Sequence, residues 1–441
     1  MTIQQNLEVI PRFPKRREIR KLSVNTTVTL NAIPAQSPIP LPTSPSKIMT
    51  LSAFSRDLSS WGVPRWPFEP KMECIRTLLL ERLGLRADVP CIVSFDSRTA
   101  FRKIYKVIIY QKIRLEGGRE EQKERVYFLS VRYPLQESEE TLSEVATMKF
   151  ARKSGAPAPR VIAWDAERKN RLGFEWILTR KLEGKSLKDE WGNLTFDQKE
   201  NVVKGIAKCQ AKLFATSFDD IGNIFDAQDT NSYVTDLRYG DFNTSYQLSR
   251  EPRPLVGRML SISSISDLDS YCSFPDSASY LEALLVPIWK EISTTLRDST
   301  NEEEMIEAQN LQRLVQKIHV KILQLSPETT VSTVLIHDDL SMRNMLIDEL
   351  GNLTGILGWE NAMVMPLWKA TQFPQFLSGD NAQQSNTEGR KEVNGNREVK
   401  NEVLKLRRLY DEEVAERVAA WKEEIHQGKT KRDLGICMQI F

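Results

Sequence analysis

The chain has 441 residues, a formal net charge of +2, 27% charged residues and 40% hydrophobic residues. This length suggests two or three domains, and the composition is typical of a globular protein. The near balance of acidic and basic residues argues against nucleic-acid binding, and no run of about 18 apolar residues predicts a transmembrane helix.

The first fifty residues are rich in Arg, Lys, Ser and Thr, with five prolines from Pro34 to Pro45. This composition predicts a disordered tail, which we assign to residues 1–70. A mitochondrial transit peptide is the alternative, although Glu8, Glu18 and the prolines argue against it, and no secretory signal is predicted. We therefore expect a cytoplasmic protein, with mitochondria as the alternative location.

Five widely spaced cysteines and only three histidines limit the metal chemistry of this chain. The odd number and wide spacing of the cysteines favour buried free thiols in a reducing compartment. A zinc site built from histidines is not expected.

Residues 71–182 alternate short β-like runs with helical segments. Apolar spacing predicts a helix at 71–84 and another at 143–152, for which Ser143 is a candidate N-cap. Strands are predicted at 91–95, 104–110, 126–131, 161–164 and 175–178. The polar stretch LEGGREEQKE between the second and third strands predicts a hairpin turn with a long exposed tip. These elements predict a small β-rich lobe.

Residues 183–425 are dominated by helical stripes, predicted at 197–214, 302–325 and 401–421. The Asn- and Glu-rich stretch 378–400 predicts a flexible insertion, and 426–441 form a C-terminal tail. We expect an α+β fold with two lobes, in which the cleft between the lobes is the place for a ligand.

The segment 337–360, HDDLSMRNMLIDELGNLTGILGWE, has the features of a catalytic loop followed by a hairpin. The strands flanking Gly351 set Asn344 roughly opposite Leu357, so that position 358 lies close to Asn344. This arrangement suits phosphoryl transfer, which needs a carboxylate for the attacking hydroxyl and oxygen ligands for Mg²⁺. Asp339 can be the carboxylate, Asn344 can be a neutral metal ligand, and a charged ligand is expected at 358.

His337 has a supporting place in this prediction, because its side chain can hold the loop by hydrogen bonds. Each residue alone has a simpler interpretation, since an Asp in a loop is usually a turn residue. The spacing and the following hairpin together are much more specific.

The same segment resembles the aminoglycoside phosphotransferase and choline kinase-like family, relatives of protein kinases, in the form carried by a group of fungal proteins. That family reads approximately H-x-D-L-x-x-x-N-I-L-V-D, a turn, and L-T-G-I-I-D-W-E. The similarity extends to SEVATM, APAPRVIAWD, GFEWIL and PLWKATQFPQFL, and covers about residues 70–425.

The resemblance implies a bilobal protein-kinase-like fold, with ATP and Mg²⁺ as cofactors. Asp339 would be the catalytic base and Asn344 a Mg²⁺ ligand. Glu144 would pair with the base that holds the ATP phosphates. Thr179, Leu182 and the residues between them would line the adenine pocket.

The chain departs from the family pattern at three positions. Gly358 stands where the family has its main metal-binding Asp, and Glu360, two residues along an expected strand, points the same way. Thr99 lies where the phosphate loop has glycine. Ser130 falls where the third strand carries the phosphate-binding base, and Arg132 on the same face is the candidate substitute.

Two functional hypotheses follow. In the first, the chain is a kinase-like protein with impaired catalysis that acts through a protein partner or a small ligand. In the second, it is an active ATP- and Mg²⁺-dependent phosphotransferase acting on a hydroxyl of a small molecule, because the base and its loop are intact. An error in the sequence at 358 is a further alternative. The acceptor would bind around 233–258 and 281–296, and the sequence does not identify it.

Overall fold

The structure is a computed structural model. It describes residues 66–99, 101–114, 120–134, 138–226, 254–260, 273–325, 332–378 and 395–439. The expectations for 1–65, for the hairpin tip at 115–119, and for most of the insertion at 378–400 and of the acceptor region at 233–258 lie outside these residues.

The N-terminal lobe is one antiparallel sheet with a helix on each side. Its five strands lie in the order β1-β2-β3-β5-β4. The elements are α1 (Met72–Arg82), β1 (Cys91–Arg98), β2 (Arg102–Arg114), β3 (Glu120–Arg132), α2 (Glu139–Lys153), β4 (Val161–Asp165) and β5 (Trp176–Arg180). All the strands and both helices predicted here are therefore present, with longer β2 and β3.

Strand alternation divides this sheet into two faces. One face contributes Tyr105, Leu129 and Trp176 to a buried cluster with Leu79 of α1. Residues 66–70, which the sequence assigns to the tail, also pack on this lobe, since Trp66 lies against Phe174 with 5.3 Å between ring centroids. The outer face of the sheet is thus covered.

Helix α2 begins earlier than the sequence indicates. Its N-cap is Ser138 rather than Ser143, and Ser138 has a φ of 61°. Glu139 and Glu140 occupy the first turn, where carboxylates interact favourably with the helix dipole. Val145 and Met148 of α2 belong to the core of the larger lobe, so α2 packs between the two lobes.

The C-terminal part is mainly helical and contains small sheets of two or three strands. Its helices are α3 (Leu187–Glu190), α4 (Phe196–Phe214), α5 (Ser277–Asp298), α6 (Glu302–Leu323), α7 (Leu367–Ala370), α8 (Gly395–Ala415), α9 (Trp421–Gln427) and α10 (Lys429–Gln439). Its strands are β6 (Lys185–Ser186), β7 (Asn223–Phe225), β8 (Leu255–Gly257), β9 (Thr333–Ile336), β10 (Met345–Ile347), β11 (Leu353–Ile356) and β12 (Met363–Pro366). The expected two-lobed α+β architecture is confirmed.

Helix α4 illustrates how the sequence fixes these boundaries. Thr195 and Gln198 form a reciprocal capping box at its start, and its apolar stripe, including Val202 and Ile206, is buried. None of the described helices combines the length and the apolar character needed to cross a membrane.

Candidate active site

The segment 337–360 forms the hairpin that its sequence predicts. Strand β10 pairs with β11, and the Leu357 N–H donates to the Asn344 carbonyl at 2.7 Å. The turn is held by the Asp348 carboxylate, which accepts from the backbone N–H groups of Leu350 at 2.9 Å and Asn352 at 2.8 Å. Gly351 takes the positive φ of this turn. Asn344 and position 358 are therefore neighbours, as the pattern predicts.

Asp339 and Asn344 are directly hydrogen-bonded. The Asn344 amide nitrogen donates to the Asp339 carboxylate at 2.8 Å and to the Asp339 carbonyl at 3.0 Å. Arg343 also reaches the same carboxylate oxygen, at 3.3 Å. The Asn344 side chain thus directs its N–H groups towards Asp339, so its oxygen is the atom that remains to meet a cation.

His337 is buried beneath the loop. Its Nε2 lies 2.9 Å from the Leu357 carbonyl, and its ring meets the edge of Trp359 with 4.7 Å between centroids. Burial lowers the pKa of His337, and this effect outweighs the Leu357 carbonyl and the nearby acids, which raise it. A neutral ring donates from Nε2 to Leu357, and Nδ1 has no hydrogen-bond partner among the described residues.

Gly358 has a left-handed backbone, with φ +79°. A β-carbon added there would lie 2.7 Å from the Asn344 amide nitrogen and 3.0 Å from Asn344 Cγ. The glycine is the N-cap of a 3₁₀ helix at Trp359–Asn361. Glu360 is therefore exposed on a helical turn, and the expectation that it continues a strand is wrong, because the chain turns at Gly358.

The donor set around this hairpin does not form a carboxylate-rich metal centre. No group of three or more His, Cys, Asp or Glu side chains within the described ranges is arranged to hold a metal ion. Position 358 supplies no side-chain oxygen, and the Asp339 carboxylate is already bound by Asn344 and Arg343. Mg²⁺ is usually held by one or two carboxylates together with phosphates and water.

A buried ionic cluster joins the sheet to α2. Glu144 accepts from both terminal nitrogens of Arg102, at 2.8 and 2.6 Å, and from Arg132 at 2.6 Å. Arg132 also pairs with Glu140. Burial alone would raise the pKa of Glu144, but the two arginines outweigh it and lower that pKa. The carboxylate is therefore held in its charged form.

Arg102 is the residue of this cluster that sequence reasoning missed. It lies directly opposite Arg132 in the β2–β3 register, while Ser130 lies opposite Ile104. Burial would lower the pKa of Arg102, but Glu144 and Glu360 raise it. The sequence does carry one signal for Arg102, which is a basic residue directly after the loop between β1 and β2. Pairing of β2 with β3 then places it on the strand face that carries Ser130 and Arg132.

The remaining candidate residues lie on or beside the sheet of the N-terminal lobe. Thr99 is exposed at the base of the β1–β2 loop, where its N–H donates to the Arg102 carbonyl at 2.9 Å. Thr179 lies on β5, and its hydroxyl is 3.4 Å from the Phe128 carbonyl. Leu182 follows in the link between the lobes and packs over Gly355 of β11. The three residues thus lie at the base of the β1–β2 loop, on β5 and in the link between the lobes.

Comparison with protein families gives one match that covers more than half of the chain. The model described as the phosphotransferase enzyme family (APH) matches residues 118–369. The chain belongs to this family. The resemblance to the phosphotransferase family seen in the sequence is confirmed.

Curated relatives of the chain are fungal proteins. A subtelomeric hrmA-associated cluster protein of Aspergillus fumigatus is 23% identical over 279 residues, covering 56% of this chain and 55% of that protein. The mitochondrial protein named altered inheritance of mitochondria protein 9, from Debaryomyces hansenii, is 32% identical over 153 residues, covering 33% and 23%. The chain spans about half the length of the first of these relatives and less of the second.

Among solved structures, aminoglycoside phosphotransferase APH(4)-Ia is similar at 12% identity, with a TM-score of 0.41. The similarity covers 84% of this chain and 96% of that one.

Proposed function

We propose that this chain is a kinase-like member of the phosphotransferase family that keeps a nucleotide cleft but has impaired metal-dependent phosphoryl transfer. The observation that carries the proposal is Gly358, whose missing side chain faces Asn344 across the hairpin. Without a carboxylate there, the site loses a metal ligand and part of the charge that offsets the phosphates. Such a loss corresponds to about 10²-fold or more in rate.

The proposed roles of the other residues follow from their contacts. Asp339 would orient or deprotonate an acceptor hydroxyl, and Asn344 holds its carboxylate in place. His337 holds the loop to the returning strand through the Leu357 carbonyl. Thr99 would lie beside the phosphates, and Thr179 and Leu182 would lie beside the adenine. Glu360 and Asn344 are the oxygen donors left for a cation carried by the nucleotide.

An active phosphotransferase is the second candidate. It is supported by the intact pair of Asp339 and Asn344 and by the buried cluster around Glu144. In that case the substrates would be ATP and a small molecule with a hydroxyl group. Under the first candidate, the chain would act through a protein partner or a weakly bound ligand.

ATP hydrolysis, in which water replaces the unknown acceptor, separates the two candidates. We expect the wild-type chain to hydrolyse ATP at the background rate and Gly358→Asp to show Mg²⁺-dependent turnover. Gly358→Asn is the matched control, because it has nearly the same shape and tolerates the left-handed backbone but carries no charge. Wild-type turnover that is lost in Asp339→Ala would refute the impairment and establish the second candidate.

The cellular location is proposed from weaker support. The expectation of a cytoplasmic protein stands beside the mitochondrial alternative, and the word mitochondrial in a relative's name supports the alternative. Fractionation of cells that express the chain with a C-terminal tag would separate the two.

A further inference from the structure

Strand β2 begins with two adjacent basic residues that point to opposite faces of the sheet. The Lys103 ammonium pairs with Glu69 and lies 4.3 Å from the centroid of the Trp66 ring. It is therefore held on the outer face, beside the N-terminal segment. Arg102 turns to the other face, towards α2 and the cleft. Of these two cations, only Arg102 faces the nucleotide side.

Arg102 and Arg132 differ in what they bind. Arg132 contacts two carboxylates, those of Glu140 and Glu144. Arg102 contacts one carboxylate, and its two hydrogen bonds to Glu144 use two of the five N–H donors of a guanidinium. Each guanidinium uses two N–H donors in these contacts, but Arg132 bridges two acids of α2, whereas Arg102 pairs with Glu144 alone.

The position of Arg102 connects three parts of the cleft. Its carbonyl accepts the N–H of Thr99 and so closes the base of the β1–β2 loop. Its charge interacts with Glu360, which follows Gly358. Its side chain is 11% exposed, so a small part of it is open to a ligand. A planar guanidinium edge matches the geometry of phosphate oxygens.

We propose that Arg102, on the second strand, is the cation that contacts the phosphates of a bound nucleoside di- or triphosphate. The resemblance implies that a third-strand base does this, at the position occupied here by Ser130. The inference rests on the proposed nucleotide cleft and adds to it a binding contact that needs no metal. Arg132 and Glu140 then serve to position Glu144, which in turn holds Arg102.

The test compares ATP with adenosine, both titrated calorimetrically into the full chain in EDTA. Adenosine shares the base and sugar but lacks phosphates, so the ratio of the two affinities isolates the phosphate contact. We expect Arg102→Gln to lower the ATP affinity by about tenfold or more, the range of a charged hydrogen bond, and to leave the adenosine affinity within about twofold. Lys103→Gln is the matched control on the opposite face of the sheet. Its ratio of ATP affinity to adenosine affinity should equal that of wild type.

Several results would overturn the inference. One is a wild type that binds ATP no more tightly than adenosine, or binds neither. Another is Arg102→Gln losing both affinities equally, which indicates a structural role. A third is an unchanged ratio in Arg102→Gln together with a lowered ratio in Arg132→Gln, which assigns the contact to β3.

A second variant covers the case in which Arg102→Gln does not fold. Arg102→Lys keeps the charge but loses the planar fork, and we expect it to lower the ATP-to-adenosine ratio by about threefold or more. An unchanged ratio would overturn the inference. All these titrations omit Mg²⁺, whereas the impairment at Gly358 is judged by the response to Mg²⁺, so the two proposals fail separately.

Discussion

A β-carbon placed on Gly358 would lie 2.7 Å from the Asn344 amide nitrogen, the same atom that donates to the Asp339 carboxylate at 2.8 Å. Position 358 therefore approaches the same amide that hydrogen-bonds to Asp339. Any side chain at 358 must displace the Asn344 amide by a few tenths of an ångström. A side chain at 358 therefore shifts the amide that holds the Asp339 carboxylate.

Substitution of Gly358 should separate backbone strain from chemistry. We expect Gly358→Ala to lower the free energy of unfolding by about 1–2 kcal/mol, because alanine resists φ +79° and meets Asn344. Gly358→Asn should cost less, since Asn adopts this backbone more readily. Gly192→Ala is the control, because nothing lies within 4 Å of its β-carbon position. Urea unfolding measures all three, and equal effects at 358 and 192 would contradict the geometry.

The cluster around Glu144 should contribute strongly to stability. Glu144→Gln leaves the buried guanidiniums of Arg102 and Arg132 without their shared carboxylate, and we expect a loss of about 3–5 kcal/mol. Asp88→Asn removes an ion pair to Arg86 in which the Arg86 and Asp88 side chains are 84% and 66% exposed, and it should cost less than about 1 kcal/mol. Chemical denaturation compares the two, and similar losses would count against a buried network.

His337 should give the folded state a dependence on pH. Burial lowers its pKa, so the unfolded chain binds the proton more readily than the folded one. This contribution to stability is complete above the unfolded pKa of about 6.5 and is lost as pH falls below it, with a slope of at most about 1.4 kcal/mol per pH unit. Thermal unfolding from pH 7.5 to 5.5 should show this slope in wild type and a smaller one in His337→Gln.

The segment before α1 should behave as part of the folded lobe. Trp66 contacts the rings of Phe174 and Tyr133, with centroids at 5.3 and 5.6 Å, and lies under the Lys103 ammonium. We expect Trp66→Ala to cost about 1–3 kcal/mol of unfolding free energy. Phe95→Ala removes a half-exposed ring with a contact to Tyr105 at 5.9 Å, and should cost less than about 1 kcal/mol. A loss no larger for Trp66 would place it outside the folded lobe.

The hairpin was predictable because its information is local. Asp348 and Gly351 determine the turn, and the strand period of two then fixes which residues meet. The closeness of Asn344 and position 358 follows from those residues alone. Likewise, the stripes of α4 and α6 predict their buried faces from spacing.

What the sequence did not reveal depends on register and backbone geometry. Arg102 meets Glu144 because β2 and β3 pair with Arg102 opposite Arg132. The register between two strands cannot be read from the sequence of either strand alone. Glu360 was expected on a strand because the left-handed turn at Gly358 has no signal beyond the glycine itself. The start of α2 at Ser138 was not predicted because Ser143 precedes the apolar stripe and is the N-cap that the sequence indicates, although it lies inside the helix.

Calorimetric titration of ATP with and without Mg²⁺, on wild type and on Gly358→Asp, tests the central proposal most directly. We predict no Mg²⁺-dependent heat in wild type and a restored Mg²⁺ dependence in Gly358→Asp, with Gly358→Asn behaving like wild type. Wild-type binding that requires Mg²⁺, with a dissociation constant below about 1 mM, would contradict the impaired metal site.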